Sequence, residues 1–410
     1  MITRTDAERL DAADPLAPFR DRFVLPDGLV YLDGNSLGAL PKAAAARVAD
    51  VVAREWGEGL VRSWNDAGWI DLPRRVGDKI ARLVGAAPGD VVCADSTSVN
   101  VFKVLSAALA LRPGRRTILS EEGNFPTDLY VAEGLVRQLG RGHRLRLMPK
   151  GDLISALDDD VAVLLLTHVD YRTGERHDLP AVTRAAHDAG ALAAWDLAHT
   201  AGAMPVHLAA AGADFAVGCG YKYLCGGPGA PAFLWVAPRL QDGFSQPLSG
   251  WLGHAEPFAF EPGYRPAAGI ARYLCGTPPI LSMSALDAAL DLLLEVDLEL
   301  VRAKSEALTS FFVDAVEEAC GDAVTLVSPR DAARRGSQVS FAHADGYAVM
   351  QALIARGVVG DFRAPDVLRF GFAPLTTRFV DAWGAARALA GVLSSRAHER
   401  PGFRRRAAVT

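Results

Sequence analysis

Two neighbouring stretches decide the fold: Ala191-Leu192-Ala193-Ala194-Trp195-Asp196-Leu197-Ala198-His199, and Asp214-Phe215-Ala216-Val217-Gly218-Cys219-Gly220-Tyr221-Lys222-Tyr223-Leu224. Each is a short apolar run that stops at residues able to do chemistry. Continuous apolar runs of this length read as strands buried on both faces. Working outward, Val91 to Ala94, Thr117 to Leu119, Val161 to Thr167 and Ala232 to Val236 have the same character. Between them lie helical patterns at Val99–Leu111, Asp128–Leu139 and Leu179–Ala189. Apolar strands separated by crossover helices predict an α/β fold with a mostly parallel sheet covered on both faces. After Gly276-Thr277-Pro278-Pro279 the texture changes. Met283 to Cys320 reads as one long helix with room for a break. Thr325 to Val327, Gln338 to Phe341 and Val367 to Phe370 read as strands, and Tyr347–Arg356 and Phe379–Ser394 as helices. The expectation is a smaller α+β domain at the C-terminal end. Arg404-Arg405-Arg406 reads as a frayed, solvated tail.

Composition limits the function. The 43 basic and 48 acidic side chains give a net charge of −5, which excludes a broad basic grip on nucleic acid. Half the residues are hydrophobic and 22% are charged, a globular balance. At roughly 100–200 residues per domain, the 410 residues make two or three units. No run approaches the ~20 apolar residues of a membrane span. Met1–Asp14 is charged and lacks an apolar signal segment, so a cytoplasmic location is expected. The five cysteines include no C-x-x-C pair and read as reduced thiols, and no histidine stands at zinc-finger spacing from a cysteine, so no metal is expected.

Four segments carry the chemistry. Lys222 lies just past a buried strand among glycines and tyrosines. Either it is a surface loop lysine, or burial favours an uncharged, nucleophilic amine that bonds a carbonyl cofactor. Asp196 ends a strand, where a buried carboxylate is costly without a partner. It is either a helix N-cap or the partner of a protonated pyridine nitrogen, as pyridoxal phosphate requires. Asp95-Ser96-Thr97-Ser98 joins a strand to a helix; it is an ordinary cap or a phosphate cup at a helix N-terminus. Asn124-Phe125-Pro126-Thr127-Asp128 offers an aromatic to stack on a planar ring, or simply a turn with proline at the first helical position. Taken together, cup, aromatic, carboxylate and lysine follow one another at the ends of successive strands. That is where ligands bind in open α/β sheets.

This order resembles fold-type I pyridoxal-phosphate enzymes. Tyr31-Leu32-Asp33-Gly34-Asn35-Ser36-Leu37-Gly38, Asn124 to Asp128, Asp196-Leu197-Ala198-His199, Tyr221-Lys222-Tyr223-Leu224, Gly250-Trp251-Leu252-Gly253-His254 and Gly276-Thr277-Pro278-Pro279-Ile280 resemble the kynureninase family more narrowly. The resemblance implies a mostly parallel seven-stranded sheet. It divides the chain into an N-terminal segment (1–60) packing on the small domain or a dimer partner, a large cofactor-binding domain (61–280) and a small C-terminal domain (281–410). It implies pyridoxal 5'-phosphate as cofactor and hydrolytic cleavage of L-kynurenine, with 3-hydroxykynurenine as a further substrate, to anthranilate (or 3-hydroxyanthranilate) and L-alanine in tryptophan catabolism.

The implied roles are these. Lys222 holds the cofactor and moves the Cα proton, Asp196 pairs with the ring nitrogen, and Tyr221 is an acid–base partner. Thr97, Ser98 and Tyr221 bind the phosphate; Phe125 stacks on the ring; Pro126, Thr127, Asp128, Thr167 and His199 line the cofactor. Trp251 and Thr277 reach a site shared across a homodimer. Arg369 takes the substrate carboxylate, with Trp64 and His254 near its aromatic ring. The competing expectations are a class-V enzyme such as a cysteine desulfurase, which needs a nucleophilic cysteine on a mobile loop, and a non-catalytic cofactor-binding scaffold.

Overall fold

The computed structural model describes residues 2–406. Its centre is a seven-stranded sheet built from β1 (Val91–Cys93), β2 (Thr117–Glu121), β3 (Arg144–Met148), β4 (Val161–Thr167), β5 (Leu192–Asp196), β6 (Phe215–Cys219) and β7 (Ala232–Val236). The spatial order is β1-β7-β6-β5-β4-β2-β3. Neighbours from β6 through β3 pair in parallel, and β7 runs antiparallel to both β6 and β1. The mostly parallel sheet expected from the apolar runs is therefore present.

Alternation along the strands explains the two covered faces. Leu164, Leu166, Ala193, Trp195, Ala216, Phe233 and Trp235 pack on one side, against Leu72–Val84 (α1), Leu179–Asp188 (α4) and Ile280–Leu294 (α5). Val163, Leu165, Leu192, Ala194, Phe215, Val217 and Leu234 pack on the other, against Thr97–Leu111 (α2) and Pro126–Leu139 (α3). The edge strand β3 is the exception. Its Arg-Leu-Arg-Leu-Met sequence leaves it half-exposed.

The long helix expected over Met283–Cys320 is two helices, α5 and Leu298–Cys320 (α6). The break falls at Glu295 to Asp297, where the Asp297 carboxylate accepts from the Glu299 N–H and caps α6. Beyond it lies a four-stranded sheet of Thr325–Leu326 (β8), Gln338–Ala342 (β9), Asp361–Arg363 (β10) and Val367–Gly371 (β11), ordered β8-β9-β11-β10 and antiparallel throughout. Helices α6, Gly346–Ile354 (α7) and Phe379–Ser394 (α8) share a core with it, with Phe312 set among Phe341, Phe370 and Phe372. Ala7 and Leu32 enter the same core from the N-terminal segment. Val30–Tyr31 pairs with Val358–Val359, and the Gly371 N–H donates to Leu32 O, which sets Asp33–Gly38 against the end of β11.

The basic tail is solvated as expected, with Arg404, Arg405 and Arg406 exposed, but it also makes contacts. Arg406 sits over the Tyr347 and Phe362 rings, at 5.7 Å from each, and the Tyr347 hydroxyl donates to Arg405 O. Cation–π contact and a backbone acceptor offset the entropy that a free tail would keep. No helix among the described residues is long and apolar enough to cross a membrane.

Candidate active site

The carboxyl ends of β1, β2, β4, β5 and β6 meet at a cavity of about 280 Å³. Ten residues singled out in the sequence line it: Thr97, Ser98, Phe125, Thr127, Asp128, Thr167, Asp196, His199, Tyr221 and Lys222. Ser96, Tyr171, Ala198, Cys219, Ala230 and Ala232 complete the wall.

Helix α2 starts at the cavity. Ser96 is its cap, accepting from the Val99 N–H at 3.3 Å, so the cap reading applies to Ser96 while Thr97 and Ser98 open onto the cavity. The turn before it is held by an ion pair from the buried Lys103 Nζ to the part-exposed Asp95 Oδ2 at 2.6 Å. Free N–H groups and hydroxyls at a helix start suit a phosphate. At the end of β2, Phe125 precedes Pro126, which occupies the first position of α3 and does not line the cavity. The Phe125 ring meets Tyr171 edge-on at 5.3 Å.

Asp196 ends β5 and is buried, with Oδ1 accepting from the Ala198 N–H at 2.7 Å. Burial pushes its pKa up, and the Lys222 charge opposes the rise. Asp128 lies in the same cavity, and burial followed by the Asp196 charge raises its pKa further. Lys222 Nζ is 3.0 Å from His199 Nε2 and 5.9 Å from the centres of the Phe125 and Tyr221 rings. Burial, then the Lys222 charge, holds His199 well below the usual imidazole range, so its ring is neutral. Burial also raises the Tyr221 hydroxyl, which keeps its proton.

Pyridoxal phosphate fits this wall on two counts. Thr167 and Asn124 hydrogen-bond the Asp128 carboxylate, which leaves the Thr97 and Ser98 hydroxyls and the start of α2 as the groups on the wall open to a phosphate. Two carboxylates also face one amine, so a protonated ring nitrogen against Asp196 would supply the missing cation. No group of three or more His, Cys, Asp or Glu among the described residues is placed to hold a metal ion.

The other sequence candidates stand apart from the cavity. Arg369 is buried one layer behind it, on β11. Its Nη1 donates to Tyr171 O and its Nη2 to Ser36 Oγ, both at 2.7 Å, while Nε and Nη2 fork onto the Asp361 carboxylate. Trp64 meets Trp69 and Trp251 edge-on, at 5.9 and 6.3 Å. Trp251 and His254 line a second cavity of about 390 Å³, with Phe260 and Tyr264. Thr277 is exposed just ahead of α5.

The family is decided by comparison over the whole length. A kynureninase of Burkholderia pseudomallei (strain 1106a) is 57% identical over 416 aligned positions that cover all of both chains. The chain belongs to the kynureninase family. A kynureninase of Pseudomonas fluorescens is 54% identical over the same span, and the family model described as the kynureninase C-terminal domain matches residues 301–389. Among solved structures, the Escherichia coli cysteine desulfurase CsdA is similar with a TM-score of 0.74 and 21% identity, covering 93% of this chain and 98% of its own. The cystine C–S lyase C-DES, solved with its product cysteine persulfide, gives 0.77 and 17%, covering 88% and 98%. At these identities the two structures show the shared fold and nothing finer.

Sequence reasoning missed Tyr171, Asp361 and Gln338. Gln338 did open a strand run, and an amide at the head of a buried strand is a signal of unfinished hydrogen bonding. Asp361 gave no such signal.

Proposed function

We propose that the protein is a kynureninase, cleaving L-kynurenine with water between Cβ and Cγ to give anthranilate and L-alanine, with pyridoxal 5'-phosphate as its cofactor. The observation that carries this reading is Lys222 Nζ within 3.0 Å of His199 in a cavity that also holds Asp196. It sits in a chain alike over its full length to proteins named kynureninase. Bound there, the cofactor supplies an electron sink for the bonds broken at Cα and between Cβ and Cγ.

The chain's own residues do the rest. Thr97, Ser98 and the start of α2 hold the phosphate, with Tyr221 beside them. Phe125 would pack on the ring, and Asp196 would balance the ring nitrogen's charge. Thr127, Asp128, Thr167 and His199 close the wall. Lys222 would bond the cofactor, and its amine would take up the substrate's Cα proton. Tyr221, still protonated, is the acid near the reacting atoms. Arg369, held by Asp361, Ser36 and Tyr171, would take the substrate carboxylate. Trp64 and His254, outside this cavity, would meet the aromatic ring of the substrate.

The same reading makes the protein a homodimer in which Trp251 and Thr277 serve the partner's site. Support comes from the exposed aromatics Phe258 and Phe260 beside Trp251. It places the reaction in tryptophan breakdown in the cytoplasm and the division between domains near residues 60 and 280.

A cysteine desulfurase shares the fold but needs a reactive thiol. Cys219, which lines the cavity, is fully buried with its pKa raised, and burial pushes Cys225 up to about 12. Neither supplies a thiolate on an exposed loop. The test is to load purified protein with pyridoxal phosphate, add L-kynurenine, and follow anthranilate by fluorescence and L-alanine by chromatography. Equal release of both is expected. Bound cofactor without anthranilate would overturn the assignment of substrate.

A further inference from the structure

Gln338, at the start of β9, is buried and spends both amide hydrogens on one loop. Its Nε2 donates to Asp170 O at 3.2 Å and to Tyr171 O at 3.1 Å. Its Oε1 must therefore face the opposite way, and it lies 3.1 Å from His199 Nδ1. An amide oxygen only accepts, so Nδ1 carries the ring hydrogen. The ring is neutral, so Nε2 bears a lone pair, and it is this atom that stands 3.0 Å from Lys222 Nζ.

The amide has little freedom to turn. A Cβ at Gly174 would lie 2.8 Å from Gln338 Cγ, and Gly174 has φ +72°, so the loop is built to press on this side chain. On its other side Asn35 Nδ2 donates to Oε1 at 3.2 Å. Turning the Asn35 amide over would let it donate to Asp33 and accept from Arg369 Nε, but would face its oxygen to Gln338 Oε1. In either orientation of Asn35, Gln338 serves the two carbonyls only as described.

We propose that Gln338 is a positioning residue that fixes the tautomer of His199, so that the Lys222 amine donates to Nε2 and keeps its direction in the cavity. This rests on Lys222 carrying the reaction as proposed above. The site is thereby tied to the small sheet: the residue that orients the amine's partner belongs to β9, which pairs with the strand carrying Arg369, with Ser340 opposite it.

The experiment uses cofactor-loaded protein and two variants, Gln338→Met, which keeps the bulk and loses the acceptor, and Gln338→Glu, which keeps an acceptor and adds charge. Long-range ¹H–¹⁵N spectra of the histidine rings, with His199→Asn identifying the signal, should show His199 protonated at Nδ1 in the wild type. In Gln338→Met that signal should move toward the Nε2–H form. Turnover should fall about tenfold or more, with KM changed less than about twofold, as expected when a catalytic histidine's tautomer is lost. In Gln338→Glu the Nδ1 hydrogen should remain. The added carboxylate favours imidazolium, so the acid limb of the pH profile should move to higher pH.

In the His199→Asn background, Gln338→Met should cost little more, because its effect runs through the ring. Equal losses in both backgrounds would overturn the proposal, as would a wild-type His199 protonated at Nε2, a reading that stands even where a variant does not fold. The spectra need no substrate. A protein that left kynurenine intact would sink the proposed reaction and leave the role of Gln338 still decided by the tautomer.

Discussion

Gly38 and Lys222 are in backbone contact: the Gly38 N–H donates to Tyr221 O at 2.8 Å, and a Cβ at position 38 would lie 2.3 Å from Lys222 O and 2.8 Å from Cys225 Sγ. The N-terminal segment is thus packed onto the loop that presents the amine, and only glycine permits it. Gly38→Ala must push that loop away. Overpacking of this kind costs about 1–3 kcal/mol, and the displacement falls on Lys222 itself. The expected outcome is a lower melting temperature together with weaker pyridoxal phosphate binding, read by thermal melting and by cofactor titration. Unchanged cofactor affinity would mean that the contact is structural only.

Lys222 and Asp196 should fail in different ways. Lys222→Ala removes the amine that bonds the cofactor and moves the Cα proton, and should lower anthranilate release by about 10⁴-fold or more. Asp196→Asn keeps the shape but removes the charge that balances a ring nitrogen, and should cost about 10²–10³-fold, the scale of losing one aimed electrostatic contact. Both follow from initial rates of anthranilate fluorescence. Turnover in Lys222→Ala near the wild-type rate would remove that residue from the reaction.

The parts of this architecture that were legible in the sequence are those written locally. Val161–Thr167, Ala232–Val236 and Phe379–Ser394 have the expected ends, because burial on both faces, or one clear helical stripe, leaves an unbroken pattern. Arg144–Met148 was missed because an edge strand with alternating arginines has no apolar run. The break at Glu295 to Asp297 was blurred because helices on both sides of it stay apolar. The cavity's wall could be read because each strand end brings its own loop to the same edge. What could not be read is pairing at long range. Asn35 and Gln338 meet across 303 residues, and Ser36 and Asp361 across 325, through strand registers that no local pattern specifies.

Arg369 is a buried cation whose charge is balanced by Asp361, with Arg363 Nη2 also 2.6 Å from Asp361 Oδ2. Removing the guanidinium strands part of that carboxylate's charge. Arg369→Ala should therefore destabilise the fold by about 3 kcal/mol, the low end for a broken buried pair, because Arg363 remains. Arg369→Lys should keep most of the stability but lose the fork that holds the side chain in line, raising KM for kynurenine about tenfold or more with a smaller change in kcat. Denaturant melts and steady-state kinetics separate the two effects. A KM left unchanged in Arg369→Lys would remove this residue from substrate binding.

Asp33 gives the fold a pH dependence of known sign. Burial, and then the neighbouring Asp361 charge, raises its pKa to about 7. In the unfolded chain the same carboxyl titrates near the ordinary value of about 3.9. Between those values the native state holds a proton that the unfolded state has released, so stability falls as the pH rises through this window. The contribution is full below about pH 4 and is lost as the pH passes the folded value near 7. Asp33→Asn, which stays neutral, lacks this loss. The melting temperature of Asp33→Asn minus that of the wild type should therefore become more positive from pH 5 to pH 8, in buffers of matched ionic strength. A difference that stays flat, or that falls, would show that Asp33 is ionised in the native protein at pH 5 and that Arg369 outweighs its burial.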